Sequence, residues 1–419
     1  MNITRRDALR GLSSAAALFG LPPGVTAQDA DEFPEKDLLG RNPEKYWARL
    51  RDEQFLLPGW RAFLNNGSLG VTPKPVLKAV EDYLRRSAAL LVDEYPRWGY
   101  ETLDEYRTEM AAHTGCKKDE LAFTHNATEA MSVIAGGLPL KAGDEIVITD
   151  QEHPSGRCPW QLKQAREGTP VREVKIPLPP KSPEQLTDIL ISSLGPKTRV
   201  LSFSGITTKT GLVMPIRQIC DAARAKGVIT VVDGAHMNGQ VSFRIADLGC
   251  DYFAGSPHKW LFAPAGCGLL YIREERIDSH YPVIVTQDWD KKELKAARFM
   301  RVGTNNRAIF EGMMAGRRFA ERIGPDTIHA RMHQLARDTY QRARELPYVE
   351  LLTPEDDRMY ASLVTFRLKL KDPSKLWKLC DERRIWTTKG NPLRIATHIH
   401  TRPSDLDLFF QTLEQAARA

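Results

Sequence analysis

Between residues 228 and 262 the chain sets one acid, two histidines, a serine and a lysine at the ends of two apolar runs. The first run, 228–232, ends in Asp233, with His236 three residues on. The second ends in Ser256-Pro257-His258-Lys259 and continues into Trp260, Leu261 and Phe262. Strand ends followed by loops are where α/β sheets place ligands. A lysine among such neighbours is poorly solvated, which lowers its ammonium pKa and frees a nucleophilic amine. An amine of that kind forms Schiff bases.

A Schiff-base lysine with a nearby acid points to pyridoxal phosphate (PLP), whose pyridine nitrogen needs an acidic partner. Asp233 is the candidate partner and Lys259 the candidate amine. Taken singly, an acid at a strand end is usually a turn or cap, and a lone histidine usually a hydrogen-bonded residue. Asp233, His236, His153 and His258 are also suitable zinc ligands, which makes a metal-dependent hydrolase the rival chemistry. That reading leaves Lys259 without a role. A non-catalytic binding protein is the other rival, and an intact lysine and aspartate argue against it.

Further motifs follow other expected strand ends. Asn126-Ala127-Thr128-Glu129 opens an apolar helix, and the N–H groups and dipole of such a start bind phosphate. Glu152-His153-Pro154-Ser155 follows the run 145–149. Asn65-Asn66-Gly67-Ser68-Leu69-Gly70 has glycines that let backbone approach a substrate closely. Arg394 lies in Pro392-Leu393-Arg394-Ile395-Ala396-Thr397-His398, and its planar fork suits a bidentate grip on a carboxylate.

Together these motifs resemble the class V aminotransferase family of PLP enzymes, fold type I, which includes cysteine desulfurases and isopenicillin N epimerase-like enzymes. The resemblance spans roughly the whole mature chain. It implies that Lys259 holds PLP, Asp233 pairs with the pyridine nitrogen and His153 stacks on the ring. His236 and Thr208 are implied near the ring oxygen, and Ala127, Thr128, Ser256 and His258 at the phosphate. Gly303-Thr304 resembles a motif with which a dimer partner reaches the phosphate, although the surroundings of Arg301 depart from the common pattern. Asn66 and Arg394 are implied on the substrate.

Two departures bear on subclass. Between Arg384 and Arg394 there is no cysteine where desulfurases carry their nucleophile, and Cys380 falls earlier in an expected helix. In Ser204-Gly205-Ile206-Thr207-Thr208 relatives often have His and Asn. Thr208 in place of that Asn either raises the Schiff-base pKa or leaves space for a different substrate. The expected function is a PLP-dependent enzyme acting on an amino-acid or peptidyl amine, with aminotransferase-type tailoring chemistry preferred. Epimerisation and C–S or C–N lysis are the alternatives.

The elements that must position these residues alternate strand and helix. Strands are expected over 121–124, 145–149, 171–175, 199–203, 228–232, 252–254 and 267–272. One helix is clear: Pro215 lies at its first turn, Ile216, Ile219, Cys220 and Ala223 share a face, and Gly227 stops it. Such alternation implies an α/β fold with a mostly parallel sheet covered on both faces. The expected domains are a lead-in at 28–62 that is poorly ordered over its first part, a large PLP-binding domain at 63–310 and a smaller C-terminal α+β domain at 311–419. In the last of these, Ser404 and Asp407 are read as a capping box for the final helix.

The N-terminus carries Arg5-Arg6, a mildly apolar stretch at 11–21 and the small-residue site Val25-Thr26-Ala27. This is a twin-arginine (Tat) export pattern over residues 1–27, too short to span a bilayer. It implies passage through the Tat translocase and a periplasmic enzyme. The combination is similar to a periplasmic PLP enzyme that tailors the glutamate side chain of the siderophore pyoverdine.

Net charge is +6, falling to +4 without the leader's three arginines and one aspartate. That charge is dispersed, with no basic stripe interleaved with aromatics, so nucleic acid is not an expected partner. Hydrophobic content of 42% and 27% charged residues fit an ordinary soluble protein with a sizeable core. The six cysteines contain no C-x-x-C pair and are expected to be mostly reduced and buried. A homodimer is expected.

Overall fold

The computed structural model describes residues 33–90 and 101–418. The export pattern at 1–27 lies outside the described residues. Residues 33–54 form one compact unit and 55–418 another. The first contains helices Lys36–Arg41 and Pro43–Gln54. The expectation of a poorly ordered lead-in over 28–45 is corrected for Lys36–Arg41 and from Pro43, which are helical, while 28–32 lies outside the described residues. Tyr46, Trp47 and Leu50 are buried, so one side of the second helix is apolar despite its acidic and basic composition.

The second unit begins with the short strand β1 (Ala62–Phe63). Its main sheet contains β2 (Leu121–Thr124), β3 (Glu145–Thr149), β4 (Val171–Val174), β5 (Thr198–Ser204), β6 (Ile229–Gly234), β7 (Tyr252–Gly255) and β8 (Gly268–Ile272). The strand order is β2-β8-β7-β6-β5-β3-β4. β4, β3, β5, β6 and β7 are mutually parallel, and β8 is antiparallel to both its neighbours. Each expected strand is present, two with the expected ends and the others with ends shifted by one or two residues.

The central strands are apolar and almost wholly buried, as a sheet covered on both faces requires. Helix Ile216–Ala225 shows how the cover works. Ile216, Ile219, Cys220 and Ala223 are all buried, and Gly227 turns the chain at φ +71°. Fully burying each of the two isoleucines is worth about 1.5–3 kcal/mol.

A second sheet comprises β9 (Val349–Leu351), β10 (Leu363–Leu368) and β12 (Leu393–Ala396), antiparallel in the order β12-β10-β9. The remaining strand, β11 (Ile385–Trp386), runs parallel to β1. Helices Pro325–Arg344, Ser374–Glu382 and Pro403–Arg418 cover this region. Its core joins Phe366, Leu393, Phe409 and Leu413 to Ala62 and Leu64.

The final helix starts at Pro403, one residue before the expected cap. Asp405 accepts from Arg402 N, whereas Asp407 pairs with Arg342. The Ser404–Asp407 capping box is therefore corrected. Among the described residues no helix is long and apolar enough to cross a membrane.

Candidate active site

Because β2, β3, β5, β6 and β7 all point the same way, their C-terminal ends open onto one edge. The loops there enclose a cavity lined by Ala127, Thr128, His153, Thr208, Asp233, His236, Ser256, His258 and Lys259. Nine positions expected from the sequence are thus brought together.

Lys259 sits in the one-turn helix Pro257–Trp260, which is braced by Gly70. Gly70 N donates to His258 O at 3.0 Å, and a Cβ on Gly70 would lie 2.3 Å from Lys259 O. Only glycine lets the two backbones meet. Asn66 Nδ2 donates to the same Lys259 carbonyl at 2.7 Å, and Asn66 Oδ1 lies 3.2 Å from His400 Nε2. Asn66 therefore fixes the lysine's backbone.

Burial pushes the Lys259 ammonium down to about 8; Asp233 opposes this and Arg394 adds to it. Nζ lies 3.2 Å from His236 Nε2. Burial foremost holds His236 well below its usual range and also lowers His153. His153 Nδ1 accepts from Ser155 N at 3.1 Å as it opens helix Pro154–Glu167.

Asp233 is buried at the end of β6, and Oδ1 accepts from Ala235 N at 3.0 Å. Burial raises its pKa, opposed by that N–H and by the charges of Lys259 and His153. Oδ2 faces Gly156, where a Cβ would lie 3.0 Å away. A buried acid with one carboxyl oxygen turned to a bare glycine is suited to pair with a protonated ring nitrogen.

At the other side of the cavity, Asn126 caps helix Ala127–Gly137 by accepting from Glu129 N at 2.9 Å. Ala127 N donates to Ser256 Oγ at 3.1 Å. The helix start and the serine hydroxyl together form an anion cradle. His258 donates from Nδ1 to Cys267 O at 2.9 Å, and burial lowers its pKa. An imidazole tied that way donates to a phosphate only when protonated, a form that a dianion itself favours.

Arg394, on β12, is buried and reaches Thr208 O at 2.7 Å, with Asn65 Oδ1 and Ser68 Oγ each at 3.2 Å. Burial lowers its pKa to about 10, which still leaves it cationic. Its Nε has no partner among the described residues, so one donor is unspent. Thr304, by contrast, is exposed and lies away from the cavity of its own chain.

Two residues escaped the sequence reading. Glu152 is buried behind the cavity, accepting from Thr149 Oγ1 at 2.5 Å, Ser204 N at 3.2 Å and Ser204 Oγ at 2.7 Å. Burial raises its pKa to about 7. The signal was an acid three residues past the end of β3, in the loop that also carries His153. Trp260 was read only as an apolar neighbour of Lys259, yet its indole N–H reaches His236 Nδ1 at 3.2 Å.

The cysteines are free thiols: Cys220, Cys250, Cys267 and Cys380 are buried, Cys116 half-buried and Cys158 exposed. None lines the cavity. Among the described residues no three His, Cys, Asp or Glu side chains converge to hold a metal ion, so the zinc constellation is not assembled.

The class-V aminotransferase family model matches residues 62–402, and the chain belongs to that family. It is 30% identical to an isopenicillin N epimerase from Amycolatopsis lactamdurans, over 89% of this chain and 99% of that protein. A probable cysteine desulfurase from Pyrococcus abyssi is 25% identical over 85% of this chain and 94% of its own. Among solved structures, the cystine C–S lyase C-DES in complex with cysteine persulfide superposes with a TM-score of 0.77 at 23% identity. That match covers 85% of this chain and 98% of the lyase. The fold is the type I PLP fold, and the cofactor is pyridoxal phosphate. Lys259, Asp233, His153 and the Ala127–Ser256 cradle fit it.

Proposed function

We propose that this chain is an epimerase-type PLP enzyme that moves the Cα proton of an amino-acid or peptidyl amine bearing a free carboxylate. The observation that carries this reading is a deprotonatable Lys259 in a cavity without a thiol, backed by the buried Arg394 fork that bonds the lining residues Thr208 and Ser68. The epimerases among the relatives support it, at 30% and 29% identity.

When bound, PLP acts as an electron sink that acidifies the Cα proton of the amine it carries. Asp233 holds the ring nitrogen in its electron-withdrawing form. The N–H groups at Ala127 and Thr128, with Ser256 and His258, hold the phosphate. Arg394 grips the substrate carboxylate and so orients the Cα–H bond toward Lys259. The Lys259 amine takes that proton, a role that needs a pKa near the working pH, and inversion follows when a proton is delivered to the opposite face of Cα.

Incubation of the PLP-loaded protein with candidate amines in D2O tests this. Deuterium at Cα with the amine retained and both stereoisomers formed is the expected result. Amine transfer to a keto acid would establish the aminotransferase alternative, and release of a β-substituent the lyase alternative. Glutamate, other amino acids and peptidyl siderophore precursors are the first substrates to try.

Export and assembly belong to the same reading. The Arg5-Arg6 leader supports passage through the Tat translocase in folded, cofactor-loaded form to the periplasm. Tyr281, Val283, Ile284, Val285 and Trp289 are exposed, and Thr286 Oγ1 donates to Arg301 O at 2.7 Å beside the Gly303-Thr304 segment. An apolar surface next to an unplaced phosphate motif supports a homodimer in which Thr304 serves the partner's site. Light scattering on Val285→Asp, expected to be monomeric and weakened in PLP binding, checks it.

A further inference from the structure

His236 is approached from two sides by consecutive residues of the helix Pro257–Trp260. On one side Trp260 Nε1 lies 3.2 Å from His236 Nδ1. On the other, Lys259 Nζ lies 3.2 Å and Thr208 Oγ1 3.3 Å from His236 Nε2. An indole nitrogen only donates, so Nδ1 must accept. A neutral imidazole whose Nδ1 accepts carries its proton on Nε2. Burial foremost, with the charges of Lys259, Arg394 and His153, keeps His236 neutral.

The consequence falls on the lysine. An ammonium has three donors and no acceptor, so it would meet the Nε2–H proton against proton. A free amine offers that proton its lone pair. Thr208 Oγ1, 3.3 Å from both His236 Nε2 and Arg394 Nη1, shares that proton with the lysine, which lies closer at 3.2 Å. The indole is itself held in place: it stacks on His398 at 5.8 Å and 18°, and His398 Nε2 donates to Trp260 O at 3.2 Å.

We propose that Trp260 is a positioning residue for Lys259: its indole N–H fixes His236 as the Nε2–H tautomer, and that proton biases the lysine toward the free amine. The inference rests on the reading that Lys259 captures PLP. The other charged groups facing Lys259 act in opposite senses. Asp233 favours the ammonium, whereas Arg394 and any charge on His153 disfavour it. His236 adds a directional contact to that balance. Hydrogen bonding to the neutral form of a group shifts it toward that form.

The test compares full-length wild type with Trp260→Phe and with a variant carrying benzothienylalanine at position 260, which keeps the ring shape and lacks the N–H. Cofactor-free protein is mixed with PLP across pH, and the visible absorbance of capture is followed. Nitrogen-15 NMR of histidine-labelled protein reads the His236 tautomer separately. In wild type, capture should rise through a midpoint near 8.

Without the N–H, the midpoint should move up by about one pH unit, making capture at pH 7 about tenfold slower. His236 should then lose its Nε2–H preference. An unchanged midpoint and tautomer in both variants would overturn the proposal. So would wild-type behaviour in the isostere with a defect only in Trp260→Phe, which would mean packing alone. Wild type that captures no PLP at any pH would instead defeat the cofactor reading, and the NMR would still decide the tautomer.

Discussion

Glu152 and Asp233, two buried carboxyls, face the same bare glycine: a Cβ on Gly156 would lie 3.6 Å from Glu152 Oε2 and 3.0 Å from Asp233 Oδ2. Ser204 ties them together as well. It is the register partner of Asp233 across β5 and β6 and donates twice to Glu152. Two carboxylates this close and this dry cannot both ionise without cost. Asp233 must be the charged one if it serves a ring nitrogen, and Glu152, pushed up to about 7, is the one that keeps a proton.

Glu152→Gln should therefore fold and bind PLP. The amide reproduces the protonated acid, accepting from Thr149 and Ser204 N and donating to Ser204 Oγ. The Glu152 pKa is raised on folding from 4.5 to about 7, so the native state binds the extra proton in that window. Its contribution to stability is present below pH 4.5 and is lost as pH rises through 7. The glutamine variant should lack this loss and be more stable than wild type at pH 8, by on the order of 2–3 kcal/mol. Thermal melts of cofactor-free protein between pH 4.5 and 8 measure the difference.

Gly156→Ala should displace the Asp233 carboxyl, since a new methyl would press on Oδ2 from 3.0 Å. Overpacking of this kind costs roughly 1–3 kcal/mol. PLP affinity, measured by equilibrium titration, is expected to fall about tenfold, corresponding to ~1.4 kcal/mol. Unaltered affinity would show that Asp233 has room to yield.

Arg394→Lys separates substrate from cofactor. A lysine keeps charge but not the fork that reaches Thr208, Asn65 and Ser68. The KM for a carboxylate-bearing substrate should rise by roughly 30-fold, about 2 kcal/mol for a lost charged hydrogen bond. The visible PLP absorbance should be retained. Parallel loss of both would place Arg394 on the cofactor instead.

Cys380→Ala should leave turnover unchanged. The thiol is buried in helix Ser374–Glu382, and burial pushes it up to about 12. A thiol with so little thiolate at neutral pH is a poor nucleophile. Sulfide release from cysteine that disappears in this variant would contradict the reading of a thiol-free site.

The sheet and most of the site were legible in sequence because both follow from local rules. Apolar runs of four to seven residues ending in Asp233, Ser204 or Thr149 dictate buried parallel strands, and the residues just beyond each end share an edge. What was not legible depends on contacts between distant segments. Glu152 keeps its proton because the fold buries it and sets it near the Asp233 carboxyl. Trp260 gains a polar role only because His236, 24 residues earlier, turns its Nδ1 toward it. The helices from Lys36 were missed because their polar composition hides a narrow apolar stripe of Tyr46, Trp47 and Leu50.

Among the described residues β1 pairs only with β11, so there Ala62 and Phe63 find their strand partner in residues 385–386. Asn65 likewise bridges to Ala396, and Ser68 waits for Arg394. During synthesis the ribosome makes the segment 65–70 early, yet its place in the site is completed almost last. The main sheet takes no strand from beyond residue 272, whereas the segment 65–70, which also braces the Lys259 backbone, is itself held by residues near the end of the chain. A nascent chain stalled before residue 385 would carry Lys259 and lack Arg394, so the two ends of the site enter the polypeptide at different moments of its synthesis.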